Sequence, residues 1–157
     1  MSDSDAVSLF TLVAESVGAN RQQKMDAWLS EKQARPEEKN RLRYTNLPWD
    51  PTQQTHSFNW QKSHVGWMDV LRSDGKVVQV VFNLRYPKRR WFSRHRKDWK
   101  SLNETASRLM GEGKLFGLPE RPSQLYRRGK LNLLMKSYEE KRHAFIELKL
   151  ARGEFCS

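Results

Sequence analysis

Residues 65–86, VGWMDVLRSDGKVVQVVFNLRY, hold the strongest local structural signal in the chain. Two runs rich in β-branched and aromatic residues flank Ser73-Asp74-Gly75, and an Asp-Gly pair between such runs is the strongest short-range mark of a β-hairpin. A two-residue turn at Asp74-Gly75 pairs Ser73 with Lys76 and predicts strands over 65–72 and 76–86. Carried outward, this register sets Val65, Trp67, Asp69 and Leu71 opposite Val78, Val80, Phe82 and Leu84 on one face. That face is the expected core. The other face carries Gly66, Met68, Val70 and Arg72 opposite Val77, Gln79, Val81, Asn83 and Arg85, and becomes polar toward Arg85. Asp69 stands out on the apolar face; a one-residue slip of register explains it, as does a carboxylate kept for chemistry.

The second strand runs into the most basic part of the chain, Arg85 to Lys100, RYPKRRWFSRHRKDWK. Eight cations (Arg85, Lys88, Arg89, Arg90, Arg94, Arg96, Lys97 and Lys100) face one anion, Asp98, and four aromatics are interleaved: Tyr86, Trp91, Phe92 and Trp99. Charges of one sign packed this densely repel one another unless water or a polyanion surrounds them. Phosphate backbones provide such a partner, because Lys and Arg contacts release condensed counterions. Aromatic side chains add flat apolar faces on which unpaired bases stack. The expected nucleic-acid contacts are therefore the eight cations, His95, Trp91, Phe92 and Trp99, with Arg89, Arg90, Arg94, Arg96 and Lys97 holding phosphates and the three aromatics stacking on bases or wedging between them. Arg127, Arg128 and Lys130 form a secondary phosphate patch.

Outward from this centre, residues 4–18 carry Leu9, Phe10, Val13 and Val17 on one helical stripe, with Gly18 as a stop. A second helix is expected from Asn20, with Met25, Trp28 and Leu29 on one face, interrupted at Pro36 and followed by a short turn to Arg43. The two helices form a helical hairpin. Pro48 and Pro51 mark residues 45–55 as a loop, with Trp49 between them. A further strand is expected over 57–61. Ser101-Leu102-Asn103-Glu104 has the spacing of a capping box and predicts a helix from there to Gly111. Residues 114–121 read as a loop, Pro122–Arg128 as a short basic helix, and 130–152 as a long amphipathic one. The expected fold is α+β: an N-terminal helical hairpin, a small antiparallel three-stranded sheet, and C-terminal helices packed on one sheet face. One domain spans 1–157, with a near-neutral helical part (1–44), a hairpin sheet and basic aromatic stretch (55–100), and a basic helical part (101–157).

The charge is uneven in the same way. The net formal charge of +11 divides into −1 over residues 1–60, +8 over 61–100 and +4 over 101–157. A near-neutral first third beside a basic remainder suggests one surface for packing or a protein partner and another for a polyanion. The single cysteine, Cys156, allows no internal disulfide and no cysteine-based zinc site, which fits a reducing, cytoplasmic setting. The apolar portion 7–17 is too short to span a bilayer, and no membrane partner is expected.

Signals for catalysis are sparse. His56, His64, His95 and His143 have no metal-ligand spacing, and no glycine-rich phosphate loop occurs, so neither metal nor cofactor is expected. His95 lies among cations that disfavour its charged form; that suits a nuclease base or, more simply, a neutral contact. The run Phe145-Ile146-Glu147-Leu148-Lys149-Leu150 resembles locally the E-x-K strand of metal-dependent restriction-type nucleases. The resemblance implies magnesium held by Glu147 and an attacking water stabilised by Lys149. The upstream Pro-Asp pair of that pattern is absent, and the run also continues a helical stripe. The expectation is thus a non-catalytic nucleic-acid-binding protein of low sequence specificity, with DNA slightly favoured over RNA. The alternatives are a small metal-dependent nuclease using Asp69, His95 or Glu147, and an adaptor whose N-terminal helices bind a protein partner.

Overall fold

A computed structural model describes residues 5–18, 22–31, 35–37, 52–61, 64–73, 76–87, 94–119 and 121–153. The described elements in chain order are α1 (Asp5–Gly18), α2 (Gln22–Glu31), β1 (Arg35–Glu37), β2 (Thr52–Gln61), β3 (His64–Ser73) and β4 (Lys76–Pro87). There follow α3 (Arg94–Met110), β5 (Lys114–Leu118), β6 (Arg121–Arg128), β7 (Leu131–Glu139) and β8 (His143–Arg152). All eight strands join one antiparallel sheet in the order β1-β2-β3-β4-β8-β7-β6-β5. The two halves share one plan. Each begins with helix and continues as a four-stranded meander, and the last strands of the halves, β4 and β8, meet at the middle of the sheet.

This architecture overturns the expected three-stranded sheet with C-terminal helices. Everything from Lys114 to Arg152 that read as loop or helix is strand, apart from its connecting turns. Leu, Met, Lys and Glu dominate 130–152 and favour helix locally, but pairing on both sides decides the outcome. Along β8, Ile146, Leu148 and Leu150 are fully buried while Phe145, Glu147 and Lys149 alternate with them at the period of a strand. Gly129, at φ 60, sits with Lys130 in the two-residue connection that brings Arg128 opposite Leu131. A left-handed glycine there is the usual device of a tight hairpin. Nearer the N-terminus, Pro36 lies in β1 rather than at the start of a helical turn, and β2 begins inside the expected loop. Trp49 and the Asp74-Gly75 turn lie outside the described residues.

The β3–β4 hairpin opens as expected, with Ser73 opposite Lys76 and Arg72 opposite Val77. The register then shifts: Leu71 faces Gln79, leaving Val78 as the extra residue of a β-bulge. Because side chains alternate at a period of two, this single insertion turns β3 over beside β4, which keeps Val80, Phe82 and Leu84 on the core side as expected while Met68 and Val70 replace Trp67 and Leu71 there. Met68, Val70, Val80, Phe82 and Leu84 enter the core, while Trp67, Asp69, Asn83 and Arg85 point the other way.

The helices complete the core from one side. Leu9, Phe10, Val13 and Val17 of α1 are fully buried, as the stripe predicts, and α1 packs across β4 and β8 with α2 beside it. Helix α3 packs on β6 and β8. It begins well before the expected cap at Ser101, and His95, Asp98, Leu102, Ala106 and Met110 form its buried stripe. The first two turns of α3 are thus the end of the basic stretch itself.

Candidate nucleic-acid interface

Where the helices cover one face of the sheet, the opposite face carries a different set of residues. At the end of the sheet where Pro87 faces His143, three strands bring Arg85, Phe145 and Tyr138 into one cross-strand row. The next row is Trp67, Asn83, Glu147 and Lys136, and the one after it Asp69, Val81, Lys149 and Leu134. The Arg85 guanidinium lies 5.3 Å from the centre of the Trp67 ring, a cation–π contact. Tyr138 and Phe145 stack with centroids 4.9 Å apart and planes 12° from parallel. Asn83 Nδ2 donates to the Tyr138 hydroxyl at 2.9 Å, and His143 flanks Phe145 with ring centres 6.3 Å apart. Trp67, Asn83, Arg85, Tyr138 and Phe145 are all partly exposed, and Lys136 is exposed. Farther along the same face Leu71, Gln79, Val81 and Ala151 are buried, whereas Leu134 and Lys149 are partly exposed.

The basic stretch arrives at that same end. Tyr86 and Asp98, both 1% exposed, join β4 to α3 through a 2.8 Å bond from the phenol to Asp98 Oδ2. Burial above all, then the Asp98 charge, pushes the Tyr86 phenol well above its ordinary value. Arg94 Nε lies 3.4 Å from Asp98 Oδ1, so the one anion of the stretch is committed inside it. His95 packs edge-on against Tyr86, and its Nε2 lies 3.2 Å from the Phe145 carbonyl and 2.8 Å from Ser137 Oγ. With the proton on Nε2 the ring donates to the carbonyl or the hydroxyl, and with the proton on Nδ1 it accepts from the Ser137 hydroxyl. Burial pushes the imidazole below its ordinary value, against the opposing Phe145 carbonyl. These links pin the start of α3, on the helix side, to the end of the sheet whose other face carries the aromatics, and Arg96, Lys97 and Lys100 are exposed on that part of the helix. Lys141 and Arg142, exposed in the β7–β8 turn, lie at the same end of the sheet.

The expected site residues therefore divide. Arg85, Arg94, Arg96, Lys97 and Lys100 gather at one end. His95 turns inward and is buried, while Trp99 packs against the core with part of its surface exposed. Lys88, Arg89, Arg90, Trp91 and Phe92 lie outside the described residues. Arg127 lies on the helix-free face of β6, whereas Arg128 and Lys130 lie near the C-terminal end of α3, away from the aromatic end. Trp67, Tyr138, Phe145, Lys136 and Lys149 were not expected on this surface; the strand alternation of 145–150 is the signal that would have shown Phe145 and Lys149.

Of the catalytic candidates, Asp69 is buried two strands from Lys149 in the same row, and Glu147 sits one row away on the same face. Among the described residues no group of three or more His, Cys, Asp and Glu side chains is placed to hold a metal ion. No described helix is long and apolar enough to cross a membrane. No protein-family model, no curated protein and no solved structure matches this chain.

Proposed function

We propose that this protein binds nucleic acid without cleaving it, by stacking unpaired bases on the open end of its sheet and holding phosphates with the surrounding cations. The observation that carries the proposal is the pair of stacked contacts, Arg85 on Trp67 and Tyr138 on Phe145, side by side on one partly exposed face. Aromatic faces of this kind contribute about 1–3 kcal/mol per stacked base with little regard to sequence. Arg96, Lys97 and Lys100 supply the phosphate contacts from the start of α3, whose first turn carries no acidic residue at the positive end of the helix dipole. Unpaired bases are required for stacking, so single strands are favoured over duplex and specificity is low. DNA stays slightly ahead of RNA as the substrate, and the lone cysteine suits a cytoplasmic protein.

The experiment is a fluorescence titration with single-stranded DNA, duplex DNA and RNA of one length, at two salt concentrations, with and without magnesium. The proposal expects salt-dependent binding, strongest for single strands, with quenching of tryptophan. Shortening of the substrate only when magnesium is present would instead favour the nuclease, for which Glu147 and Lys149 on one strand face, with Asp69 beyond, are the supporting arrangement. No binding at low salt to any of the three would leave the adaptor, with α1 and α2 as its contact.

A further inference from the structure

A cleft of about 520 Å³ lies on the helix side of the sheet, between α1, the end of α3 and the β6–β7 turn. That volume falls within the range of about 300–1,000 Å³ usual for small-molecule sites. Its apolar wall comes from Ala14, Leu109 and Leu131, each partly buried against the core. Its remaining lining is Thr11 and four charged residues, unequally divided: Arg128, Lys130 and Arg152 against Glu15. Glu15 lies 3.2 Å from Lys24, so its charge is already matched. Among the described residues, none of the three cations has a carboxylate within pairing distance.

The Arg128 side chain is held in place, and so is the backbone that carries Lys130 and Arg152. Arg128 Nη1 donates to the Leu109 carbonyl at 2.6 Å, seating the guanidinium at the negative end of α3 with further donors still in its fork. Leu131 pairs with Arg152 across β7 and β8, which sets Lys130 beside Arg152. The Gly153 amide donates to the Lys130 carbonyl at 2.6 Å, and Asn132 Nδ2 donates to the Gly153 carbonyl at 2.5 Å. Gly129 and Gly153, at φ 60 and 93, make the two tight bends that allow this lacing. An apolar wall beside three cations, one of them seated by a side-chain bond, matches a ligand with an apolar body and an anionic head.

We infer that this cleft binds a small amphipathic anion, its alkyl or aryl body against Ala14, Leu109 and Leu131 and its carboxylate or phosphate head among Arg128, Lys130 and Arg152. The site is separate from the aromatic end of the sheet: it lies at the opposite end of β7 and β8 and on the other face.

The test uses the full chain and anilinonaphthalene sulfonate, a fluorescent probe with an aromatic body and an anionic head. Decanoate and decyl phosphate are expected to displace it, and their relative strength identifies the preferred head; decanol and decyltrimethylammonium are expected not to. Lys130→Glu with Arg152→Glu, both on exposed side chains, weakens decanoate binding by about tenfold or more, as lost charge-assisted contacts do. Ala14→Phe fills the apolar wall and removes displaceable probe signal. Thermal melting of each variant checks that the fold is kept. Equal displacement by all four competitors would overturn the inference, as would decanoate affinity within about twofold of the parent in the folded charge-reversed variant. Displacement of the probe by single-stranded DNA but not by decanoate would also overturn it, by making the cleft part of the nucleic-acid surface.

Discussion

Tyr86→Phe removes one hydroxyl from the centre of the link between β4 and α3. The ring stays, so no cavity opens, and the loss is confined to the 2.8 Å bond to Asp98 Oδ2. A hydrogen bond to a charged group contributes about 1.5–3 kcal/mol net, and a buried acceptor stripped of a donor sits at the upper part of that range. Arg94, 3.4 Å from the other oxygen and partly exposed, retains some compensation for the carboxylate. The expected loss is therefore about 2 kcal/mol, or roughly 4–8 °C in Tm for a chain of this size. Urea unfolding with linear extrapolation measures it, and the midpoint should fall with an unchanged slope. Asp98→Asn, alone and combined with Tyr86→Phe, closes a double-mutant cycle in which the two losses are not additive. A Tyr86→Phe loss below about 0.5 kcal/mol would refute the claim that this bond anchors α3 and hence positions the cations at its start.

Leu148→Ala truncates a fully buried side chain between Phe82 and Met135 in the middle of the sheet, and should cost about 2–5 kcal/mol in urea unfolding. Deleting Val78 removes the bulge residue but leaves every core residue on its present face, so the chain should keep its far-ultraviolet circular dichroism and dispersed amide spectrum. Deleting Val81 instead sends Phe82 and Leu84 to the wrong face and should abolish both. The imidazole of His95 has a folded pKa below its ordinary 6.5, so the unfolded chain takes up the proton first as pH falls below that value. Stability should then decline with falling pH below 6.5 and be indifferent to this group above it; in His95→Gln that part of the slope disappears from urea midpoints measured across pH 5–8.

The first helix and the centre of the sheet were legible because each rests on a local signal. Leu9, Phe10, Val13 and Val17 form a stripe with no competing period, and Asp74-Gly75 admits few structures between two β-rich runs. The C-terminal meander was not legible from propensity, since Leu131–Arg152 is rich in helix formers and becomes sheet only because β4 offers β8 an edge. The bulge at Val78 had no mark of its own, with valines on either side of a two-residue turn register that is correct for its first pairs. That one insertion moved Trp67 from the expected core to the open face. The cations of the candidate site were therefore visible in the sequence as composition, whereas its aromatic surface is a product of register. Asp98, the odd anion of the basic stretch, belongs to the interior, as the helical spacing of His95, Asp98, Leu102 and Ala106 accounts for.

The open end of the sheet as a base-stacking surface is tested most directly by Trp67→Ala with Phe145→Ala, titrated with single-stranded DNA beside the parent protein at low salt. Thermal melting confirms that both proteins are folded at the titration temperature. Loss of two stacking faces, at about 1–3 kcal/mol each, predicts binding weakened by roughly thirtyfold or more with the salt dependence preserved. Affinity within about twofold of the parent in the folded double variant would contradict the account and place the bases elsewhere on the molecule.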